Sequence, residues 1–312
     1  MGGLAGYQGE ALLIANPISG WGKVARHLKE VADALRALGL ELSVCETGGP
    51  GDARKAAGEF GGGLILSFGG DGTFNEVLNG ADPERAVLGV IPAGTGNVLA
   101  KELRVPRCPR RAVRALAGGR IVRYDMGVCN DRRFACVFGA GLDAHIVQLV
   151  HEARGGNLTQ LHYVPVLLRS ALRAEPWEIE VRLDGERLAD GMNIVCAGNS
   201  RSYGGPIEMT PAASPTDGRL DVMASRVGGP LDIWGPGMAA LGRALHVSGS
   251  ALYGRGVEVE VRSPRDDVPW EVDGDLGGRL PAHVRCEPGR VRMVASREFR
   301  PRARGFRGGP DQ

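Results

Sequence analysis

In the first third of the chain, apolar residues fall into short continuous runs that alternate with stretches spaced by three and four. Residues 11–15 read as a buried strand ending in Asn16-Pro17. Residues 23–38 place Val24, Leu28, Val31, Leu35 and Leu38 on one helix face, which Gly39 ends. Further strands are predicted over 41–45, 64–68 and 87–91, a short helix over 52–60 with Asp52 as its cap, and another helix opening at 74–78. This alternation predicts an α/β domain with a parallel, doubly wound sheet.

The pattern changes after about Arg123. Short strand candidates follow at 134–138, 179–183, 193–197, 220–224, 257–261 and 291–294, punctuated by turns such as Asp184-Gly185 and Asp217-Gly218. One helical stretch, roughly 144–173, interrupts them. The reading is a second, mainly antiparallel β domain over 124–294 behind an α/β domain over 1–123. The Arg/Gly/Pro-rich tail after Phe299 has the composition of a partly disordered end.

Composition narrows the class. With 312 residues, 43% hydrophobic and 24% charged, the chain is globular and long enough for two domains of ~100–200 residues each. A net charge of +2 argues against a polyanion binder, so no nucleic-acid partner is expected. Eight of the residues from Lys101 to Arg123 are basic and only Glu102 is acidic, a local face that is either solvated or directed at anionic lipid. The six cysteines form no C-x-x-C pair. Those at 45, 129, 136 and 196 sit in apolar runs, so reduced, buried thiols and a cytoplasmic setting are expected. No apolar run approaches the ~20 residues of a membrane span, so no transmembrane segment is expected. Trp177, Trp234 and Trp270 read as core or rim packing ahead of a lipid groove.

Chemistry concentrates at the ends of the predicted strands. Gly69-Gly70-Asp71-Gly72-Thr73 follows the third strand and precedes a helix, where backbone N–H groups and the helix N-terminus suit a phosphate. Asp71 offers a carboxylate to Mg²⁺, and Thr73 a hydroxyl to a phosphate oxygen. Pro92-Ala93-Gly94-Thr95-Gly96-Asn97 ends the fourth strand in the same way. Asn16-Pro17-Ile18-Ser19-Gly20 follows the first strand, and Thr47 sits in the loop after the second. In a doubly wound sheet such loops face one crevice. Neither G-x-x-x-x-G-K-[ST] nor a G-x-G-x-x-G after the first strand occurs, so the Walker and dinucleotide loops are excluded.

In order and spacing these three loops resemble the signatures of the diacylglycerol kinase catalytic family, which includes bacterial lipid kinases and the sphingosine and ceramide kinases. The likeness continues through Phe138–Ala144, Asn199–Gly205, Thr210–Asp221 and Val272-Asp273-Gly274-Asp275. The resemblance implies an ATP-binding α/β domain, a β-rich lipid domain, and a chain end, about 295–312, that returns to the first domain. It implies ATP held by Asn16, Thr47, Gly69, Gly70, Asp71, Gly72, Thr73, Phe74, Asn75, Gly94, Thr95 and Asn97. Mg²⁺ would be organised by Asp71 with Asp125 in support. A structural Mg²⁺ would sit at Asp217 with backbone carbonyls near Ser214 and Arg219, and Asp143 would contact the lipid head group. Asp275 would act as general base, standing where the family usually has Glu; Val98 stands where many bacterial members have Asp.

The implied activity is ATP- and Mg²⁺-dependent phosphorylation of a hydroxyl on diacylglycerol or a related lipid such as a sphingoid base, by a cytoplasmic enzyme with peripheral membrane association. The oligomeric state is left open, with a homodimer among the options. Two other readings stand beside this one: a soluble-substrate kinase of the NAD kinase type, which shares a G-G-D-G loop, and a nucleotide- or lipid-binding protein without catalysis.

Overall fold

The computed structural model describes residues 3–153, 177–204, 207–226 and 251–301. The distal part of the helix expected to 173, Gly205, Trp234, and Arg302, Arg304 and Arg307 of the tail lie outside the described residues.

The first part of the chain alternates as its pattern predicts. Its elements are β1 (Glu10–Ala15), α1 (Ser19–Arg36), β2 (Glu41–Glu46), α2 (Asp52–Phe60), β3 (Gly63–Gly69), α3 (Asp71–Gly80) and β4 (Ala86–Pro92), then the short helices α4 (Val98–Glu102) and α5 (Pro109–Ala117). β2, β1, β3 and β4 pair in that order, all parallel. Leu13, Ile14, Leu64, Ile65 and Leu66 are fully buried, as strands covered on both faces require.

The remainder is strand-rich. It comprises β5 (Arg120–Cys129), β6 (Arg132–Phe134), β7 (Val137–Gly141), α6 (Leu142–Ala153), β8 (Ile179–Leu183), β9 (Glu186–Met192), β10 (Ile194–Gly198), β11 (Ser202–Gly204), β12 (Ile207–Glu208) and β13 (Leu220–Ser225). These are followed by β14 (Ala251–Gly256), β15 (Glu258–Arg262), β16 (Pro269–Val272), β17 (Asp275–Arg279) and β18 (Ala282–Ala295). β14-β13-β10-β7-β16-β17 form an antiparallel sheet. Its inner face packs on β8, β15 and the start of β18, with Phe138, Trp177, Val195, Val222, Val259 and Trp270 in a second core. Trp177 and Trp270 are thus packing residues.

β18 joins the two parts. Its first half pairs antiparallel with β15, and its last residues run parallel to β4 at Arg292↔Val87 and Met293↔Leu88 while β5 pairs along most of its length. Among the described residues, one ten-stranded sheet therefore runs through both parts.

Four local expectations are corrected. α3 begins at Asp71, three residues ahead of the expected start, so Asp71–Thr73 form its first turn. Asp52 does not cap α2: left-handed Gly51 is the N-cap, and the Asp52 carboxylate turns back to accept N–H bonds from Gly48 and Gly49 at 2.8 and 2.9 Å. The strand expected over 134–138 is broken into β6 and β7, because the amides of residues 135–137 turn to a carboxylate described below. Cys45 is half-buried, on a strand at the sheet edge, whereas Cys129, Cys136 and Cys196 are buried as expected.

Phe138 is fully buried, 6.2 Å from Trp270 between ring centroids. Phe138→Ala is expected to lower the free energy of unfolding by about 3–5 kcal/mol in urea titration, the cost of truncating a large aromatic in a closed core.

Candidate active site

Three loops meet at the carboxyl ends of β1, β3 and β4. The Asn16 side-chain amide donates to Thr73 Oγ1 at 3.3 Å, tying the first loop to the first turn of α3. Ala93 N–H donates to Gly69 O at 2.7 Å, which joins the second loop to the third. At the crossing the backbones touch: a Cβ on Gly94 would lie 2.8 Å from Gly70 Cα, so only glycine allows the approach. Thr47 is held through its backbone, donating to Ala15 O at 2.9 Å, and borders the same strand ends.

The third loop is braced by its own residues. Asn97 lies in the left-handed region at φ 49°, and its amide donates to Gly94 O at 2.5 Å. Thr95 O accepts from Arg107 at 2.8 Å. Asp71 reaches across from α3 and caps α4: its Oδ1 accepts Val98 N–H at 2.7 Å, with the neighbouring amides of Asn97 and Leu99 also directed at the carboxylate. Burial pushes the Asp71 carboxyl above its usual range against the pull of those amides.

Cations border this site. Lys23 Nζ donates to Arg107 O at 2.7 Å, and Lys101 is attracted to Asp71; burial lowers the pKa of both lysines. Sequence reasoning passed over Lys23, and read Lys101 and Arg107 only as part of the basic stretch from Lys101 to Arg123. The available signal was helical spacing: Lys101 falls one turn beyond Asn97.

The opposite wall comes from the far end of the chain. β16 and β17 form a two-residue hairpin with Asp273 at φ 51° and Gly274 at φ 88°, the left-handed pair that an Asp-Gly turn supplies. The Asp273 carboxylate accepts three consecutive N–H groups, from Ala135 at 2.7 Å and from Cys136 and Val137 at 2.9 Å. Burial nevertheless pushes its pKa up to about 6. The turn delivers Asp275 to α3, where Asn75 Nδ2 donates to Asp275 Oδ2 at 2.7 Å across 200 positions of sequence. Asn79 braces Asn75 at 2.8 Å and also bonds the backbone of Arg133. Phe74, on the buried side of the same helix, is a core residue.

The remaining predicted residues lie apart from this cleft. The Asp125 carboxylate accepts the amides of Gly218 and Gly289 at 2.6 and 2.7 Å, so it faces the Asp217 loop, and burial raises its pKa. Asp217 pairs with the Arg255 guanidinium and accepts Arg219 N–H at 3.1 Å; Ser214 is buried beside it, its carbonyl accepting Asp217 N–H at 3.4 Å. Asp143 is buried and accepts the Tyr203 hydroxyl.

The two candidate metal positions differ in fit. At Asp71, a carboxylate and the buried, unpartnered Asn97 Oδ1 are hard oxygen donors of the kind Mg²⁺ takes. At Asp217, the Arg255 guanidinium already compensates the carboxylate, and a divalent ion fits only if Arg255 leaves. Among the described residues, no three His, Cys, Asp or Glu side chains gather as a ligand set.

A two-part fold with glycine loops at parallel strand ends and an acidic hairpin facing them defines a phosphotransferase of the lipid kinase architecture. Residues 10–129 match the diacylglycerol kinase catalytic domain, and residues 136–295 match the YegS C-terminal NAD kinase beta sandwich-like domain. The chain belongs to the diacylglycerol kinase catalytic family and is a kinase. It is 31% identical to the diacylglycerol kinase of Bacillus subtilis (strain 168), over 87% of this chain and 91% of that one. With the diacylglycerol kinase of Mycobacterium tuberculosis (strain ATCC 25618 / H37Rv) it shares 26% identity over 93% and 96% of the two chains. A crystal structure of a diacylglycerol kinase from Bacillus anthracis str. Sterne superposes with a TM-score of 0.76 at 25% identity, covering 92% of this chain and 97% of that one.

Asp273→Ala would leave three amides without their acceptor. It is expected to cost at least ~3 kcal/mol of stability at about 1–3 kcal/mol per unsatisfied buried group, read from urea unfolding.

Proposed function

We propose that this kinase transfers the γ-phosphate of ATP to a hydroxyl of diacylglycerol or a related lipid such as a sphingoid base. The observation that carries the reading is the 2.7 Å hydrogen bond from Asn75 to Asp275, which sets a carboxylate from the second part of the chain against the helix that opens on the Gly69–Thr73 loop.

In this reading ATP lies across the strand ends. The backbone of Gly69, Gly70, Gly72 and Gly94 and the side chains of Asn16, Thr47, Thr73, Thr95 and Asn97 receive it, and Asn75 orders the helix edge beneath the phosphates. Lys23, Lys101 and Arg107 offset phosphate charge. Asp71, with Asn97, would hold Mg²⁺, which supplies further neutralisation of the triphosphate when bound. Asp125 fixes Gly218 and Gly289, apart from the nucleotide cleft. Asp143 marks the lipid side.

Asp275 is the general base. Asn75 holds its Oδ2, so the carboxylate has one orientation in which to take the hydroxyl proton. As that proton moves to Asp275, the hydroxyl oxygen bonds to the γ-phosphorus, the bond from the γ-phosphorus to the bridging oxygen breaks, and ADP leaves. An Asp side chain is one methylene shorter than the family's usual Glu, and the Asn75 contact compensates by drawing the carboxylate onto α3.

No helix among the described residues is long and apolar enough to cross a membrane. The kinase would therefore meet its lipid at a membrane surface, and α5, with exposed Arg110, Arg111 and Arg114, offers positive charge for that encounter.

The test is transfer of radiolabelled γ-phosphate to a lipid panel in mixed micelles, with and without Mg²⁺ and with NAD as a soluble acceptor. Mg²⁺-dependent labelling of one lipid is expected. Labelling of NAD alone, or ATP binding with no transfer, would overturn the assignment. Asp71→Ala is expected to abolish transfer in a folded protein, and Asp275→Asn to lower the rate by at least ~10², the scale of a lost general base.

A further inference from the structure

Behind the hairpin that carries Asp275 lies a pair of carboxyl groups that the transfer chemistry does not use. Glu271, on β16, is 1% exposed, and Asp143, on the first turn of α6, is 3% exposed. Glu271 Oε2 accepts Gly274 N–H at 2.6 Å, inside the turn itself. Asp143 Oδ1 accepts the Tyr203 hydroxyl. The other two oxygens, Asp143 Oδ2 and Glu271 Oε1, are buried with no donor of their own. Both crowd the same point: a Cβ on Gly139 would overlap Asp143 Oδ2 and lie 2.8 Å from Glu271 Oε1. Converging carboxyl oxygens with no donor between them can be joined only where one of them carries a proton, because two ionised carboxylates are acceptors alone.

We propose that Glu271 is a positioning residue: one proton held between its Oε1 and Oδ2 of Asp143 locks the Asp273-Gly274 turn and so sets the reach of Asp275. The inference rests on Asp275 being the base. A single proton satisfies both orphaned oxygens and leaves the pair with one negative charge, which the Gly274 amide and the Tyr203 hydroxyl receive from its two ends. Without it, two charges would face each other in a dry site, where their repulsion is strong. Among the described residues, the groups facing the pair are Tyr203 on β11, Cys196 on β10, Asp273 in the turn and Asp275 on β17, and none of these is cationic. Burial drives both carboxyls upward, in keeping with a proton retained at neutral pH. The lock joins α6, on the lipid side, to the hairpin. Gly139, whose missing side chain makes room for both carboxyls, completes it.

The sign of the pH dependence follows. Groups with raised values stabilise the fold below their unfolded values and lose that contribution as pH rises through the folded ones. Wild-type melting temperature is therefore expected to fall more steeply than that of Glu271→Gln as pH rises above the ordinary carboxyl range of about 4. In that variant the amide keeps the Gly274 bond and donates permanently to Asp143. Glu271→Gln is expected to keep kcat at neutral pH. Glu271→Met, which keeps the volume but strands the Gly274 amide, is expected to lose roughly 10–100-fold in kcat through misplacement of Asp275, with KM for ATP unchanged.

A protonated-carboxyl stretch present in the infrared spectrum of the wild type and diminished in Glu271→Gln reads the proton directly, whether or not any lipid is phosphorylated. Should Glu271→Gln fail to fold, Asp143→Asn presents the same donor from the other side, and its infrared spectrum and pH–melting curve read the shared proton. Superimposable pH–melting curves and infrared spectra for wild type and Glu271→Gln would overturn the shared proton. A kcat loss in Glu271→Gln equal to that in Glu271→Met would overturn the positioning role.

Discussion

Three consecutive amides, those of Ala135, Cys136 and Val137, converge on the carboxylate of Asp273, and the rest of the cleft is built out from that knot. It breaks what would be one strand into β6 and β7. It also pins the β16–β17 turn, and the pinned turn places Asp275 on Asn75. Two stretches of chain far apart in sequence thereby hold one side chain to one position. A carboxylate that must share its oxygens among three donors tolerates little displacement, so the knot orders the hairpin better than turn propensity alone would.

The site has an electrical polarity that follows from the same arrangement. On the hairpin side, Asp143, Glu271 and Asp273 are buried carboxyls, and burial raises each of them. On the strand-end side, Lys23, Lys101 and Arg107 gather around the loops that carry Asp71. A triphosphate drawn to the cations would find a proton acceptor on the far wall. The two parts of the chain thus differ in charge as well as in shape.

Much of this was legible in the residues. Continuous apolar runs ending in glycine loops marked β1, β3 and β4, because buried parallel strands and phosphate-sized turns leave dense local signals. The Asp184-Gly185 turn was equally plain. β5, β9, β14 and β16 escaped, since charged or glycine residues interrupt them and only pairing with distant strands makes them strands. The early start of α3 was hidden by the glycines at 70 and 72, which local propensity reads as loop. Glu271 left no signal, for its partner Asp143 lies 128 positions away and the contact exists only through Gly139. Arg255 on Asp217 escaped for the same reason.

The most direct measurement is a crystal structure of the protein soaked with a non-hydrolysable ATP analogue. The account predicts the triphosphate on the Gly69–Thr73 and Gly94–Asn97 loops, with its terminal phosphate toward Asp275 and the Asn75–Asp275 contact retained. A nucleotide bound elsewhere, or an Asp275 swung away from α3 with the nucleotide in place, would contradict it.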